Sequence, residues 1–246
     1  MLFGLAFFAG GEYDVFNNGE VYICARSPIL PRNEGCVLRK RWRMLVAAVL
    51  LAACLLSFPA MAVTFTDVSG HWAESYITQA ADRQLIQGYD GKYSPGDSVT
   101  RAQLATILWR ACGSPQPKSK ATFTDLTQDW YLEPVAWAQE TGVMNGIGEG
   151  KFGPDGTVTR EQLATVLHRM AGSPMDAMLF TQFYDADYPD SGDVSSFAKQ
   201  AIYWCIYRQV YCGESSLNVG KTLDPKAPAS RGQIAVMIVR YLDRNH

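Results

Sequence analysis

The feature that most constrains this 246-residue sequence is a unit that occurs three times. Its opening is Phe65-Thr66-Asp67-Val68, then Phe123-Thr124-Asp125-Leu126, and more loosely Phe183-Tyr184-Asp185-Ala186. Its second landmark is Thr100-Arg101-Ala102-Gln103, then Thr159-Arg160-Glu161-Gln162 and Ser230-Arg231-Gly232-Gln233. Sixteen residues separate Trp72 from Gly88, and the same number separates Trp130 from Gly146. Several landmarks in one register predict a repeat architecture.

Each unit reads as helix, glycine-rich loop, helix. After each arginine of the second landmark, apolar residues fall at +3, +6, +7 and +10, which is one stripe of an amphipathic helix. The Thr or Ser before that arginine and the Gln three residues later form a capping box. We therefore predict an all-α fold of six principal helices, arranged as three hairpins, with the first helix of repeat 1 ending near Gly88. Two helices cannot bury a stripe alone, so the repeats must pack together.

The chain upstream of the repeats carries an export signal. The basic run 39–43 precedes an apolar stretch from Met44 to Phe58, and Ala60-Met61-Ala62 closes it. This order is typical of a signal peptide over residues 44–62, with its own methionine at Met44. The simplest interpretation of residues 1–43 is an upstream extension assigned in error, and the alternative is a genuine segment that forms an unusually long basic region of the signal. A retained transmembrane helix is a weaker alternative, because a bilayer span needs about 20 residues. A lipoprotein modified at Cys54 is a second alternative.

After processing, three cysteines remain: Cys112, Cys205 and Cys212. The last two could pair only if the chain turns between them, since two turns of helix would hold them about 10 Å apart. Their spacing matches neither a zinc site nor a redox motif.

The landmarks resemble the S-layer homology family, which has an F-x-D-V opening, a Trp at the first helix, a glycine loop and a T-R-A-E box. Gln103 replaces the acid of that box. The resemblance covers residues 63–115, 116–175 and 176–246 as three repeats, the third divergent. It implies a pseudo-threefold module that binds an anionic, for instance pyruvylated, secondary cell-wall polysaccharide between repeats. The implied glycan-binding residues are Asp67, Trp72, Gly88, Arg101, Asp125, Trp130, Gly146, Arg160 and Arg231.

The residues themselves favour an anion site. An arginine in the first turn of a helix is disfavoured by the helix dipole, so its threefold recurrence suggests a compensating anion. Free backbone N–H groups and a guanidinium suit a carboxylate. In the alternative reading, Arg101, Arg160 and Arg231 pair internally with Asp67, Asp125 and Asp185. Gly88 and Gly146, which each stand sixteen residues after a Trp, have an alternative role as helix C-caps.

The third repeat departs from the pattern. Phe197 stands where the other repeats have Trp, and the loop after Gly213 is longer. Gly232 weakens the helix start by up to about 1 kcal/mol relative to Ala. Its loop 185–193 is acidic, but the spacing is wrong for an EF-hand, so a solvated turn is favoured over calcium.

The sequence predicts no enzyme, cofactor or metal site, because no catalytic motif is present around His71 or His168. A net charge of −2 without a basic patch argues against nucleic acid as a partner. The expected partners are the wall polysaccharide and an envelope protein carried as cargo, and the expected location is the cell wall. An envelope scaffold that binds protein is the alternative function, and a secreted enzyme comes after it.

Overall fold

The computed structural model describes residues 64–175, 188–211 and 222–244. Within these ranges six α-helices and two short 3-10 turns occur, and the extended residues form only isolated bridges, without a strand or sheet. The all-α prediction is confirmed. The helices are α1 (Glu74–Asp82), α2 (Arg101–Ala111), α3 (Leu132–Glu140), α4 (Arg160–Met170), α5 (Lys199–Tyr207) and α6 (Arg231–Arg244).

Residues 1–63 lie outside the described ranges, so the upstream extension, the signal peptide and lipidation at Cys54 stay predictions. Asp185, Cys212 and Gly213 also lie outside. Cys205 is buried in α5, and whether it pairs with Cys212 stays open.

The second helix of each repeat begins as its sequence predicts. The Thr100 hydroxyl accepts from the Gln103 N–H at 3.3 Å, and the Gln103 side chain accepts from the Thr100 N–H at 3.1 Å. Thr159 with Gln162, and Ser230 with Gln233, repeat this capping box. The box satisfies N–H groups that a helix start leaves without intrahelical partners. The apolar stripe of all three helices packs into one core, with Ala111 and Met170 at its partly buried edge.

The first helices are shorter than predicted. Helix α1 ends at Asp82, six residues before Gly88, and the left-handed residue that follows it is Gln84, with φ 58°. In repeat 2 the equivalent left-handed residue is Gly142. The alternative reading of Gly88 and Gly146 as helix C-caps is therefore wrong. Helix α5 begins two residues after Phe197, as α1 does after Trp72, so the helix register supports the predicted equivalence of these aromatics.

The main helix pairs join different repeats. Helix α2 packs on α3, α4 packs on α5, and α6 packs on α1. The prediction of three hairpins is corrected, because the second helix of each repeat packs against the first helix of the next one. The apolar stripe of the second helix is buried by a neighbour, which is why no repeat could be stable alone.

A closed cycle of backbone hydrogen bonds links the three capping segments at the centre. The N–H of Val158 donates to the carbonyl of Val99 at 3.0 Å, that of Ala229 to Val158 at 2.8 Å, and that of Val99 to Ala229 at 3.0 Å. All three residues are buried. Repeats 1, 2 and 3 therefore contact one another in cyclic order, which the predicted pseudo-threefold arrangement requires. The threefold symmetry itself stays a prediction.

Candidate functional site

The helix-start arginines reach into the loop of the next repeat. Arg101 in repeat 1 donates from Nε to the Phe152 carbonyl at 2.8 Å and from Nη2 to the Asn145 carbonyl at 2.6 Å. Its guanidinium carbon lies 4.7 Å from the centre of the Phe152 ring. Carbonyl oxygens and an aromatic face thus supply the negative potential that the helix start lacks.

The other two arginines repeat this geometry. Arg160 donates from Nε to the Leu223 carbonyl at 2.9 Å, and its guanidinium lies 4.9 Å from the Tyr211 ring centre. Arg231 closes the cycle back to repeat 1, donating to the Tyr93 carbonyl at 2.6 Å and the Gln87 carbonyl at 2.9 Å. Arg160 is only 1% exposed. These contacts bind repeat to repeat.

The N–H groups at the second-helix starts are occupied as well. Arg101 and Ala102 donate to the Gly156 and Pro154 carbonyls at 2.9 and 3.0 Å. The same pair of bonds joins α4 to Ala227 and Pro225, and α6 to Asp97 and Pro95. The expectation that these N–H groups are free for an anion is therefore wrong. The next repeat supplies their acceptors.

The aspartates of the repeat opening hold the loops and do not pair with the arginines. Asp67 accepts from the N–H groups of Tyr93 and Ser94 at 2.8 and 2.7 Å. Hydrogen bonding from Tyr93 lowers the pKa of the Asp67 carboxyl. In the described residues no ion pair within 4 Å joins Asp67 or Asp125 to an arginine, so the internal-pair reading is wrong for both.

Asp125 plays the same role in repeat 2, accepting from Phe152 and Gly153 at 2.8 and 2.7 Å. Burial raises the pKa of the Asp125 carboxyl, but the two backbone hydrogen bonds outweigh burial, and the net pKa is lowered. In repeat 3 the role falls to Asp190, which accepts from Leu223 and Asp224. Sequence matching assigned it to Asp185, five residues too early. The described part of the acidic loop is thus engaged in a structural turn.

Gly88 and Gly146 allow the repeat opening to pack against the loop. A Cβ at Gly88 would lie 2.4 Å from both the Lys92 carbonyl oxygen and the Phe65 ring. At Gly146 the equivalent contacts are Lys151 and Phe123, at 2.6 and 2.7 Å. Only glycine fits such an approach.

An open cleft of about 830 Å³ lies where all three repeats meet near the loop of repeat 1. Its volume is typical of a small-ligand site, which spans about 300–1,000 Å³. Repeat 1 supplies most of its lining, repeat 2 supplies Trp130, and repeat 3 supplies Arg231. We call it groove 1. The indole of Trp130 is 53% exposed, and Tyr89 at the rim is 90% exposed.

Three cations line groove 1, and two of them, Lys92 and Arg110, were missed by the sequence reasoning. Arg231 is bonded to the loop carbonyls described above, and Lys92 is exposed. The other missed cation is Arg110, in the last turn of α2. Among the described residues its guanidinium makes one hydrogen bond, a long one of 3.5 Å to the Leu85 carbonyl. Burial lowers the pKa of Arg110, yet an arginine stays charged. Two carboxylates, Asp90 and Asp97, also line the groove.

A sequence signal for Arg110 exists. An arginine follows each helix-start arginine by nine residues: Arg110, Arg169 and Arg240. Their surroundings differ, because Arg169 is exposed, whereas Arg240 is 6% exposed. Arg240 donates towards the Tyr76 hydroxyl at 3.4 Å and the Tyr211 carbonyl at 3.3 Å. In repeat 3 this arginine is therefore engaged in hydrogen bonds within the protein.

The structure places only part of the predicted site around groove 1. Gly88, Trp130 and Arg231 line it. Trp72 is partly buried against the core near His71. The other predicted residues do not line groove 1. Arg101 and Arg160 lie in the contacts between repeats, Asp67 and Asp125 bind the loop backbone of their own repeats, and Gly146 lies in the loop of repeat 2.

No cluster of side chains suited to a metal ion occurs in residues 64–175, 188–211 and 222–244. Across those same residues, no helix is both long and apolar enough to cross a membrane.

Residues 64–105 and 122–164 match the family model of the S-layer homology domain. Repeats 1 and 2 belong to the S-layer homology domain family. The third repeat stays a prediction from sequence, which the cyclic contacts of α5 and α6 support.

Curated relatives of two kinds share this region. The chain is 27% identical over 217 residues to the surface-layer 125 kDa protein of Lysinibacillus sphaericus, covering 86% of this chain and 17% of that protein. It is 31% identical over 125 residues to S-layer protein EA1 of Bacillus anthracis, covering 50% and 14% respectively. An endoglucanase of Bacillus sp. (strain KSM-635) is 30% identical over 183 residues, covering 74% and 19%. The chain thus spans less than a quarter of the length of each of these relatives.

Proposed function

We propose that this protein attaches non-covalently to the bacterial cell wall by binding an anionic glycan of the wall in groove 1. The supporting observation is the convergence of Trp130, Arg110 and Lys92 on one open cleft of about 830 Å³. A surface-layer protein and an endoglucanase both share this region with the chain, which covers 17% of the first and 19% of the second. A shared attachment function accounts for that distribution.

The chemistry of groove 1 suits a sugar that carries a carboxylate, such as a pyruvyl ketal. An arginine fork can bind a carboxylate through two parallel hydrogen bonds, and Arg110 keeps most of its five N–H donors for this. The exposed face of Trp130 offers an apolar surface for a sugar ring, while its body stays fixed against Tyr131 at 4.9 Å between ring centres. Lys92 adds a mobile positive charge at the rim.

Helix-start arginines act indirectly in this proposal. Arg231 fixes the carbonyls of Gln87 and Tyr93, and so shapes the wall of groove 1. Arg101 and Arg160 fix the corresponding loops of repeats 2 and 3. The repeat opening, through Asp67, fixes the same wall from the other side.

The test is cosedimentation of the protein with sacculi from a Bacillus that carries a surface layer, before and after hydrofluoric acid removes the secondary polymer. Wild-type protein should bind only untreated sacculi. Arg110→Gln should weaken binding roughly ten- to hundredfold, since a charge-assisted hydrogen bond contributes about 1.5–3 kcal/mol. Lys118→Gln is the matched control, because Lys118 is an exposed cation that lines a different cleft. Equal binding to treated and untreated sacculi would favour a protein or peptidoglycan partner instead.

A further inference from the structure

The three contacts between repeats, which we call seams, share one pattern of backbone hydrogen bonds. They differ in their side-chain contacts and in the chain segments that connect the repeats. Each seam contains the two N–H bonds from a second-helix start to the next repeat. Seam 1–2 uses Arg101 and Ala102, seam 2–3 uses Arg160 and Glu161, and seam 3–1 uses Arg231 and Gly232. Because the backbone bonds are equivalent, side chains and chain connections decide which seam opens first.

Seam 2–3 has a side-chain clamp that the others lack. Glu161 is 4% exposed and accepts from the Lys226 ammonium at 2.7 Å. It also accepts from the Ser195 N–H and hydroxyl, both at 3.0 Å, so its charge is fully compensated across the seam. At the equivalent helix position the other seams have Ala102 and Gly232, which can form no such bond.

The chain connection distinguishes seam 3–1 further. Residues 112–122 join repeat 1 to repeat 2, and the segment after Ala171 joins repeat 2 to repeat 3. If seam 1–2 opens, the linker of residues 112–122 keeps its two repeats side by side. No such linker joins repeat 3 to repeat 1, since Arg231 and Tyr93 are 138 residues apart in sequence. The polar side-chain contacts between α6 and α1 across this seam are weak. The Arg83–Asp243 salt bridge at 2.8 Å has partly exposed partners, and the Arg240 hydrogen bond to the Tyr76 hydroxyl is long at 3.4 Å.

Groove 1 lies across seam 3–1. Arg231 donates to the carbonyls of Tyr93 and Gln87, and the Tyr93 hydroxyl donates back to the Arg231 carbonyl at 2.8 Å. Arg231, Tyr93 and Gln87 all line the groove. Opening the seam would therefore separate one wall of the groove from the rest.

We infer that seam 3–1 opens before the other two seams and that a ligand in groove 1 holds it closed. The second half of this inference rests on the proposed function, whereas the first half does not. A ligand that binds only the closed ring stabilises it by the factor 1 + [L]/Kd. Attachment to the wall would thus tighten the whole module as well as tether it.

Native-state hydrogen exchange tests both halves, because it reports local opening amide by amide. In the free protein, the amides of Arg231, Gly232 and Val99 should exchange at least about tenfold faster than their equivalents in the other seams. Those equivalents are Arg101, Ala102 and Val158 in seam 1–2, and Arg160, Glu161 and Ala229 in seam 2–3. Equal rates in all three seams, or a faster rate in another seam, would overturn the first half.

The probe for the second half is polymer released from sacculi by hydrofluoric acid, added at 100 times its Kd. Exchange at seam 3–1 should slow by about a hundredfold, and by more than at the other seams. Uniform slowing of all three seams would contradict a selective closure. Sacculus binding measured on the same samples separates a failed proposed function, in which the polymer does not bind at all, from binding without closure.

A variant outside groove 1 supplies an independent check. Asp243→Lys reverses the charge of the Arg83 partner and should speed exchange at seam 3–1 a few-fold. Glu140→Lys is the matched control, since it breaks the pair between Glu140 of α3 and Lys118 of the 112–122 linker, away from that seam. If Glu140→Lys accelerates the amides of Arg231 and Gly232 as much as Asp243→Lys does, the assignment of the opening to seam 3–1 is wrong.

Discussion

The buried guanidinium of Arg160 donates to the backbone carbonyl of Leu223 at 2.9 Å, across 63 residues of sequence. This cation is 1% exposed, and it has exchanged hydration for the Leu223 carbonyl oxygen and the face of Tyr211. Burying a charge is tolerable only with such partners. The arginine of the repeated box is therefore a structural residue, and its removal should be felt in folding.

We predict that Arg101→Ala lowers the free energy of unfolding by about 1.5–3 kcal/mol, because two charge-assisted hydrogen bonds to the next repeat are lost. Arg160→Ala should cost at least as much, since the Arg160 side chain is 1% exposed and its removal leaves a buried cavity. Urea unfolding measures both, with Arg169→Ala as a control on an exposed arginine of α4. Intact stability together with lost wall binding in Arg101→Ala would restore the reading in which this arginine holds the glycan.

Gly88→Ala and Gly146→Ala should each destabilise the fold by about 1–3 kcal/mol. The new methyl group would meet a backbone carbonyl oxygen at 2.4 and 2.6 Å, and backbone cannot move aside as a side chain does. Gly96→Ala is the control, because nothing lies within 4 Å of a Cβ there and its φ is not positive. Thermal melts of the three variants would decide, and a melting temperature for Gly88→Ala equal to that of Gly96→Ala would contradict the packing role.

Trp130→Ala should weaken wall binding by at least about 1 kcal/mol, or roughly fivefold, while leaving the melting temperature nearly unchanged. The reason is that this indole is largely exposed and its removal leaves little cavity. Trp72→Ala should show the reverse order of effects, since that ring packs partly on the core. Binding and melting are measured on the same samples. Loss of stability without loss of binding in Trp130→Ala would exclude the indole from the site.

Acid should destabilise the fold through Asp67 and Asp125. Both carboxyls have a lowered pKa in the folded state, so between that value and the ordinary pKa of 3.8 the unfolded chain binds more protons. Their contribution is present above the ordinary value and is lost as the pH falls through the folded value. Urea unfolding from pH 7 to pH 2 should show a weaker pH dependence in Asp67→Asn/Asp125→Asn. The exposed Asp155→Asn should follow the wild type.

Periodicity predicted the second helices well because the capping box and the apolar stripe are local properties of a helix. Thr159, Gln162 and Leu167 act within one turn or face, so their roles follow from spacing alone. The partner of that apolar face is not a local property. Sequence reasoning paired it with the first helix of the same repeat, whereas the structure pairs it with the next repeat.

The candidate site was predicted only in part for a related reason. Alignment of the three repeat openings by residue type placed the third aspartate at Asp185. The hydrogen bond from the Leu223 N–H instead identifies Asp190 as the equivalent residue. Arg110 was missed because its significance depends on lining the same groove as Trp130 of another repeat. An arginine nine residues after each helix-start arginine was visible in the sequence. Spacing alone cannot distinguish one that lines a groove from one, such as Arg240, that is buried and hydrogen-bonded within the protein.

The hydrogen bonds among Val99, Val158 and Ala229 fix the number of repeats in the module at three. Every repeat presents one donor edge and one acceptor edge, and the third repeat returns to the first. A chain with two repeats would leave an arginine and a set of loop carbonyls facing water, and a fourth repeat would find both edges of the cycle taken. The backbone therefore fixes the number of repeats in this ring at three, while the side chains of each repeat can differ, as those of groove 1 and of Arg240 do.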